Sequence, residues 1–241
     1  MEKLQGKVAL ISGGAQGLGQ QICYQLAEAG ATVIAGDIQE EKAAGTVKTI
    51  TEKGGKAVAM RLDVSSEQSV KETIAKIKSE YGKLDILVNN AGIDFTKSIL
   101  ELSVSEWDAA FAVNLRGPFL MSKFGLEVMS EQKSGNIINI VSTASLRAWT
   151  EASVYHASKW GLRGFSHALF TEARKVNVKV TAIIAGGMST PFLLDRFPDI
   201  PPQNLQDPKN VATKIRYIIE DDTDTVVPEI LILPLMETSW P

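Results

Sequence analysis

Cysteine occurs once in this chain of 241 residues, at Cys23, so no internal disulfide can form. A lone cysteine makes a reducing, cytoplasmic compartment the expectation. Histidine occurs only at His156 and His167, on one predicted helix. With no cysteine or acidic cluster beside them, no metal site is expected. No apolar run is long enough to span a bilayer, and the N-terminus lacks the apolar stretch of a signal peptide. An excess of one charge is also missing. The 25 Lys+Arg and 28 Asp+Glu leave a net charge of −3, scattered along the chain. That balance offers nothing to nucleic acid or to an anionic membrane surface. Internal repeats, low-complexity tracts and linkers are absent too.

What is present is a regular alternation. Short apolar runs at Lys7–Ile11, Thr32–Gly36, Lys56–Leu62, Leu84–Val88, Asn136–Val141, Val178–Ile184 and Glu229–Leu233 read as buried strands. Between them lie stretches of helical period: one carrying Leu18, Ile22, Leu26 and Ala29, then Glu40–Glu52, Ser66–Tyr81, Ser105–Gln132, Val154–Val176 and Asp207–Ile219. Gly117-Pro118 predicts a kink in the longest helix. Repeated βαβ units predict an α/β fold, a three-layer, doubly wound parallel sheet forming a single Rossmann-like domain over residues 1–241. The length suits one domain with a substantial core.

The first strand runs straight into Ser12-Gly13-Gly14-Ala15-Gln16-Gly17-Leu18-Gly19 and then a helix. Strand, glycine turn and helix are the context of a dinucleotide site. Glycines let the backbone approach a pyrophosphate, and the helix N-terminus supplies free N–H groups. The alternative is a tight turn with no ligand. The second strand ends at Asp37, where an acidic residue would hold the adenosine ribose hydroxyls and repel a 2′-phosphate. No arginine follows it, and Gln16 is neutral, so NAD(H) is expected over NADP(H). Asp37 could instead cap the helix that begins near Glu40.

Tyr155 and Lys159 are four residues apart and project from one helix face, with Ser142 just after a strand. An ammonium beside a phenol favours the phenolate and is expected to lower the tyrosine pKa. Such a tyrosine can exchange a proton with an alcohol or ketone, with Ser142 bonding the substrate oxygen. Asn114 interrupts an otherwise apolar helix, which calls for a local reason such as a kink or a bound water.

In this order the motifs resemble the single-domain short-chain dehydrogenase/reductase family, from about Gly6 to about Leu233. The resemblance implies catalytic roles for Asn114, Ser142, Tyr155 and Lys159. It implies cofactor contacts at Gly13, Gln16, Gly17, Leu18 and Gly19, at Asp37 and Ile38, and at Asp63 and Val64. Further contacts are implied at Asn90, Ala91 and Gly92 of Asn89-Asn90-Ala91-Gly92, at Tyr155 and Lys159, and at Gly186, Met188 and Thr190. Tyr155 would be the general acid/base, Lys159 would tune it and hold the nicotinamide ribose, and Asn114 would hold a water. Two departures from the family pattern are Ser12, where threonine is usual, and Ala185, where proline is usual.

The implied activity is hydride transfer between NAD(H) and a small secondary alcohol or ketone. An NADPH-dependent 3-oxoacyl-(acyl-carrier-protein) reductase and a non-catalytic dinucleotide-sensing regulator are the competing readings. Residues 190–206 are expected to form a substrate lid whose apolar side chains suit a lipophilic or small neutral substrate. Trp149 is either a pocket wall or core, and Arg147 either holds an anion or is solvated. An apolar excess on two helices, carried by Trp107, Phe111, Phe119, Met121, Phe124, Met129, Phe165, Leu169 and Phe170, predicts oligomerisation, and the resemblance implies a homotetramer or homodimer in which those helices pair. The tail ending Trp240-Pro241 is expected to dock.

Overall fold

Seven strands lie side by side in the order β3-β2-β1-β4-β5-β6-β7 in the computed structural model, which describes residues 3–237. They are β1 (Val8–Ser12), β2 (Thr32–Asp37), β3 (Lys56–Arg61), β4 (Ile86–Asn89), β5 (Gly135–Ile140), β6 (Val178–Ala185) and β7 (Glu229–Ile232), and every neighbouring pair is parallel. The helices are α1 (Gly17–Glu28), α2 (Glu40–Glu52), α3 (Glu67–Tyr81), α4 (Val104–Phe111), α5 (Gly117–Gln132), α6 (Ser153–Ala173), α7 (Pro191–Leu194) and α8 (Pro208–Ile219).

Alternating strand residues divide the core between the two sheet faces. Ala9, Ile11, Val33, Ile86 and Ile138 pack with Ile22 and Leu26 of α1 and Val211 and Ile215 of α8. Val8, Leu10, Ile34, Leu87 and Ile137 pack with Ile74 of α3, Met121 and Phe124 of α5 and Leu169 of α6. Both faces are covered, which is why the strands are apolar throughout instead of alternating with polar residues. Met121, Phe124, Met129 and Leu169 are therefore spent within the chain. Of the apolar excess read from the sequence, Phe119 on α5 stays exposed, and Trp160 on α6 joins it.

The long helix departs from expectation. A wide π turn over Ala112–Arg116, just ahead of Gly117-Pro118, separates α4 from α5. The Gly117 N–H donates to the carbonyl of Ala112, five residues back. Pro118 has no N–H to offer the Asn114 carbonyl, so the ladder widens just ahead of it. The widening accompanies a fully buried Asn114.

The strand order turns at β1 and β4, where successive crossovers leave in opposite directions and open a crevice beyond the strand C-termini. Ser12, Asp37, Asn89, Ile140 and Ala185 end their strands there. Among the described residues no helix is long and apolar enough to cross a membrane. Trp240 lies outside the described residues.

Candidate active site

The crevice is a cleft of about 800 Å³. All the residues named above for catalysis or cofactor binding line it, except Gly19 and Asn114. Those two act from beneath.

At one end the glycine turn meets α1. Gly13 has φ +69°, and a Cβ there would lie 2.9 Å from Asn90 Nδ2. Asn90 Nδ2 donates to the carbonyls of Ser12 at 3.0 Å and Gly13 at 3.2 Å, so its side chain fixes the turn. Ser12, standing for the usual threonine, still joins β1 to β4. Its hydroxyl donates to Val88 O at 3.2 Å and accepts from the N–H groups of Asn90 and Ala91. Gln16 precedes α1 without any side-chain cap. The first N–H groups of α1 thus keep their capacity for an anion. Glycines that no Cβ can replace, with an uncapped helix start above them, fit a pyrophosphate.

Asp37 sits at the end of β2. Its carboxylate accepts from Ala15 N at 3.1 Å and Gln39 N at 2.9 Å. Gln39, not Asp37, occupies the cap position of α2. A carboxylate has room for about four hydrogen bonds, so Asp37 retains acceptor capacity in the cleft. Asp63 accepts from the N–H and hydroxyl of Ser65, and Ser66 caps α3, so Asp63 is a turn residue facing the same cleft.

At the other end stand Ser142, Tyr155 and Lys159. The Ser142 hydroxyl accepts from Ala144 N and stands near enough to the Tyr155 phenol to favour its ionised form. Lys159 Nζ donates to Ile140 O at 2.9 Å, at the end of β5, and lies 5.6 Å from the centre of the Tyr155 ring. The lowered phenol pKa expected from the sequence is not what this geometry gives. Burial raises the Tyr155 phenol to about 12 against the pull of the Ser142 hydroxyl, and burial lowers the Lys159 ammonium to about 8. The lysine spends a donor on a strand carbonyl, and desolvation outweighs its influence on the phenol.

Asn114 works as a clamp. Its Oδ1 accepts from Ile93 N at 2.8 Å, and its Nδ2 donates to Ile93 O at 2.8 Å and to Ser158 Oγ at 3.1 Å. Ser158 donates in turn to the carbonyl of Tyr155 at 2.9 Å. Both Nδ2 protons are used, and the side chain ties the loop after β4 to the helix that carries Tyr155. Asn114→Leu would leave both polar groups of Ile93 unpaired. The expected cost is about 2–5 kcal/mol, or roughly 5–15 °C in melting temperature. A calorimetric melt within a degree or two of the parent would show that the clamp carries no load.

Several residues here escaped the sequence reading. His156 was weighed only as a metal ligand. Its Nε2 accepts from Trp149 N at 3.2 Å and its Nδ1 donates to Ala144 O at 2.8 Å, which assigns the tautomer. It thereby holds the segment between Ser142 and Trp149, and Trp149 packs on it at 4.2 Å and forms a cleft wall. Gln206 answers the loss of proline at Ala185. Its Nε2 donates to Ile232 O, its N–H to Gly187 O, and its carbonyl accepts from Ser189 N. Ala185 simply extends β6 by pairing with Ile232. Asp94, Thr96 and Arg196 also line the cleft. Each stands in a stretch of ordinary loop composition, so no local signal marked it.

Residues 7–200 match the family described as short chain dehydrogenase. Over 238 residues, 95% of this chain and 96% of the relative, the chain is 32% identical to a 3-oxoacyl-[acyl-carrier-protein] reductase of Thermotoga maritima. It is 36% identical over 192 residues to a cyclopentanol dehydrogenase of Comamonas, covering 80% of this chain and 77% of that one. A metagenomic short-chain oxidoreductase solved in complex with NADP superposes with a TM-score of 0.85 at 27% identity, covering 96% of this chain and 99% of that one.

Proposed function

Because the chain belongs to the short-chain dehydrogenase/reductase family, we propose that it oxidises a secondary alcohol, or reduces the matching ketone, using NAD(H). The observation that carries this reading is the shared cleft. A phenol with a neighbouring hydroxyl and a buried amine stand at one end, and an uncapped helix start with a strand-end carboxylate stands at the other.

The glycine turn and α1 would hold the pyrophosphate, Asp37 the adenosine ribose, and Gly186, Met188 and Thr190 the nicotinamide end. The bound cofactor would supply the hydride acceptor or donor. The chain's own residues handle the proton. Tyr155 Oη takes it from the alcohol oxygen during oxidation and returns it during reduction. Ser142 Oγ, in the same cleft as that phenol, orients the substrate oxygen and stabilises charge developing on it. The Lys159 ammonium favours the phenolate when a partner draws it from the Ile140 carbonyl. Asn114 positions Tyr155 through Ser158.

The NAD(H) preference rests on charge. Lys159 and Arg196 are the only cations lining the cleft among the described residues, and they lie against Ile140 and Asp94, away from Asp37. Fluorescence titration with NADH and NADPH should show tighter NADH binding. Asp37→Ala should erode that preference by about tenfold, the worth of one charged hydrogen bond. Tighter NADPH binding by the parent protein would reverse the assignment and bring 3-oxoacyl reduction forward. Against that reading, Arg163 is already held by Glu229 through bonds of 2.7 and 2.8 Å, and Arg174 lies over the Phe170 ring, which weakens the basic face a carrier protein would need. A non-catalytic sensor would have no use for Ser142, Tyr155 and Lys159 grouped in one cleft.

Residues 190–206 serve as the lid in this reading, since Phe192 approaches Tyr155 at 5.9 Å between ring centres and Phe197 and Ile200 line the cleft. Phe119 and Trp160 are the apolar residues on which a homotetramer or homodimer would close, and sedimentation tests this. The buried Cys23 suits the reducing cytoplasm.

A further inference from the structure

Beside Tyr155 the cleft is not purely apolar. Asp94, two residues past Gly92, has a side chain only 8% exposed, and its Oδ1 has no hydrogen-bond partner in the chain. Thr96 Oγ1 is buried and equally unpartnered. Arg196, from the segment after α7, brings Nε to 3.8 Å from Asp94 Oδ2, beyond a hydrogen bond, so this buried donor is also unmet. Its guanidinium lies 4.1 Å over the Phe192 ring, which fixes the plane of the donors. All three side chains line the same cleft as Ser142 and Tyr155.

Buried polar atoms are nearly always paired, and unmet ones in a ligand cleft mark where a ligand's polar group goes. We propose that Asp94, Thr96 and Arg196 form a recognition site for a second hydroxyl group on the substrate, making the substrate a neutral diol or polyol, or its hydroxyketone. This rests on the dehydrogenase reading above and narrows its substrate class. A hydroxyl both donates and accepts: it can give its proton to Asp94 Oδ1 and take a bond from Arg196 Nε or Thr96 Oγ1. An anion suits the site poorly, because any group bonded to Arg196 sits beside the Asp94 carboxylate. A plain hydrocarbon suits it poorly too, because it would leave three polar atoms, already shut off from water, without partners. Phe192, Phe197 and Trp149 supply walls for the carbon skeleton. The apolar lid composition describes only part of the pocket, and a diol narrows the lipophilic or small neutral substrate expected from it to an amphipathic one.

The test compares cyclohexanol, the isomeric cyclohexanediols and hydroxycyclohexanecarboxylates. Each is titrated calorimetrically into the enzyme–NADH complex and assayed for oxidation with NAD. At least one diol should bind the parent protein at least about tenfold more tightly than cyclohexanol, the worth of one well-made hydrogen bond to a charged group. That ratio should fall to near unity in Asp94→Ala. Thr96→Val, which keeps shape and removes only the hydroxyl, should lower it less and guards against a folding defect in the first variant. Equal binding of diol and monool by the parent, an unchanged ratio in both variants, or tightest binding of the carboxylate overturns the assignment while leaving the dehydrogenase reading standing. Oxidation of none of these compounds, with NADH still bound, removes the dehydrogenase reading and the inference with it.

Discussion

Phenylalanine at position 155 should lower kcat for alcohol oxidation by about 10²–10⁴-fold, the usual contribution of a positioned acid/base, while NADH still binds. The substitution removes one oxygen and keeps the ring that packs against Phe192. Neither Ser142 nor Lys159 can replace it. The Ser142 hydroxyl is a far weaker base, and Lys159 Nζ is turned onto the Ile140 carbonyl. The pH profile carries a second signature. With the phenol at about 12, the phenolate is scarce near neutrality, so oxidation should climb as pH rises, by about tenfold per unit at the steepest. Lys159, at about 8, is charged below that point and helps the phenolate only there. Oxidation should therefore steepen up to about pH 8 and flatten above it, where the ammonium is lost. Reduction needs the protonated phenol and should show no such climb. A Tyr155→Phe enzyme within tenfold of the parent, or an oxidation rate flat from pH 6 to 9, would remove Tyr155 from the proton path.

Much of this was legible because it is local. A strand running into glycines and then a helix puts the glycine turn, α1 and Asp37 in order with no knowledge of distant contacts, and the structure places each of them at one sheet edge. The i, i+4 pair Tyr155 and Lys159 shares a helix face for the same reason. What the sequence hid depends on partners far along the chain. Spacing put Lys159 beside Tyr155, but only the sheet shows that Ile140 O, nineteen residues away, engages the ammonium. Gly117-Pro118 pointed to a kink, whereas the missing proline N–H acts one turn earlier, widening the helix at Asn114. Asn114 was read as a water holder, and its side-chain bonds to Ile93 and Ser158 carried no local signal. His156 and Gln206 carried no signal, because each bonds only backbone atoms of segments that folding brings to it.

The second large effect belongs to a residue that never touches the cleft surface. Gly19 lies in the first turn of α1, and a Cβ there would stand 2.0 Å from the Gly13 carbonyl oxygen and 2.5 Å from Asn90 Nδ2. Neither neighbour can step aside. The Gly13 carbonyl belongs to a turn held at φ +69°, and Asn90 Nδ2 is what holds that turn. Gly19→Ala must therefore push α1 away from the turn and move the first N–H groups that would meet the pyrophosphate. Overpacking of this kind costs about 1–3 kcal/mol, and if it falls on the cofactor site NADH affinity drops by about 10–100-fold. Gly45→Ala is the control. Gly45 lies in exposed α2 with nothing within 4 Å of the added carbon, so alanine there should stabilise by about 0.5–1 kcal/mol through helix propensity. The pair separates a backbone contact from a generic response to losing glycine. If Gly19→Ala binds NADH as the parent does, the closeness of α1 to the glycine turn has nothing to do with cofactor binding.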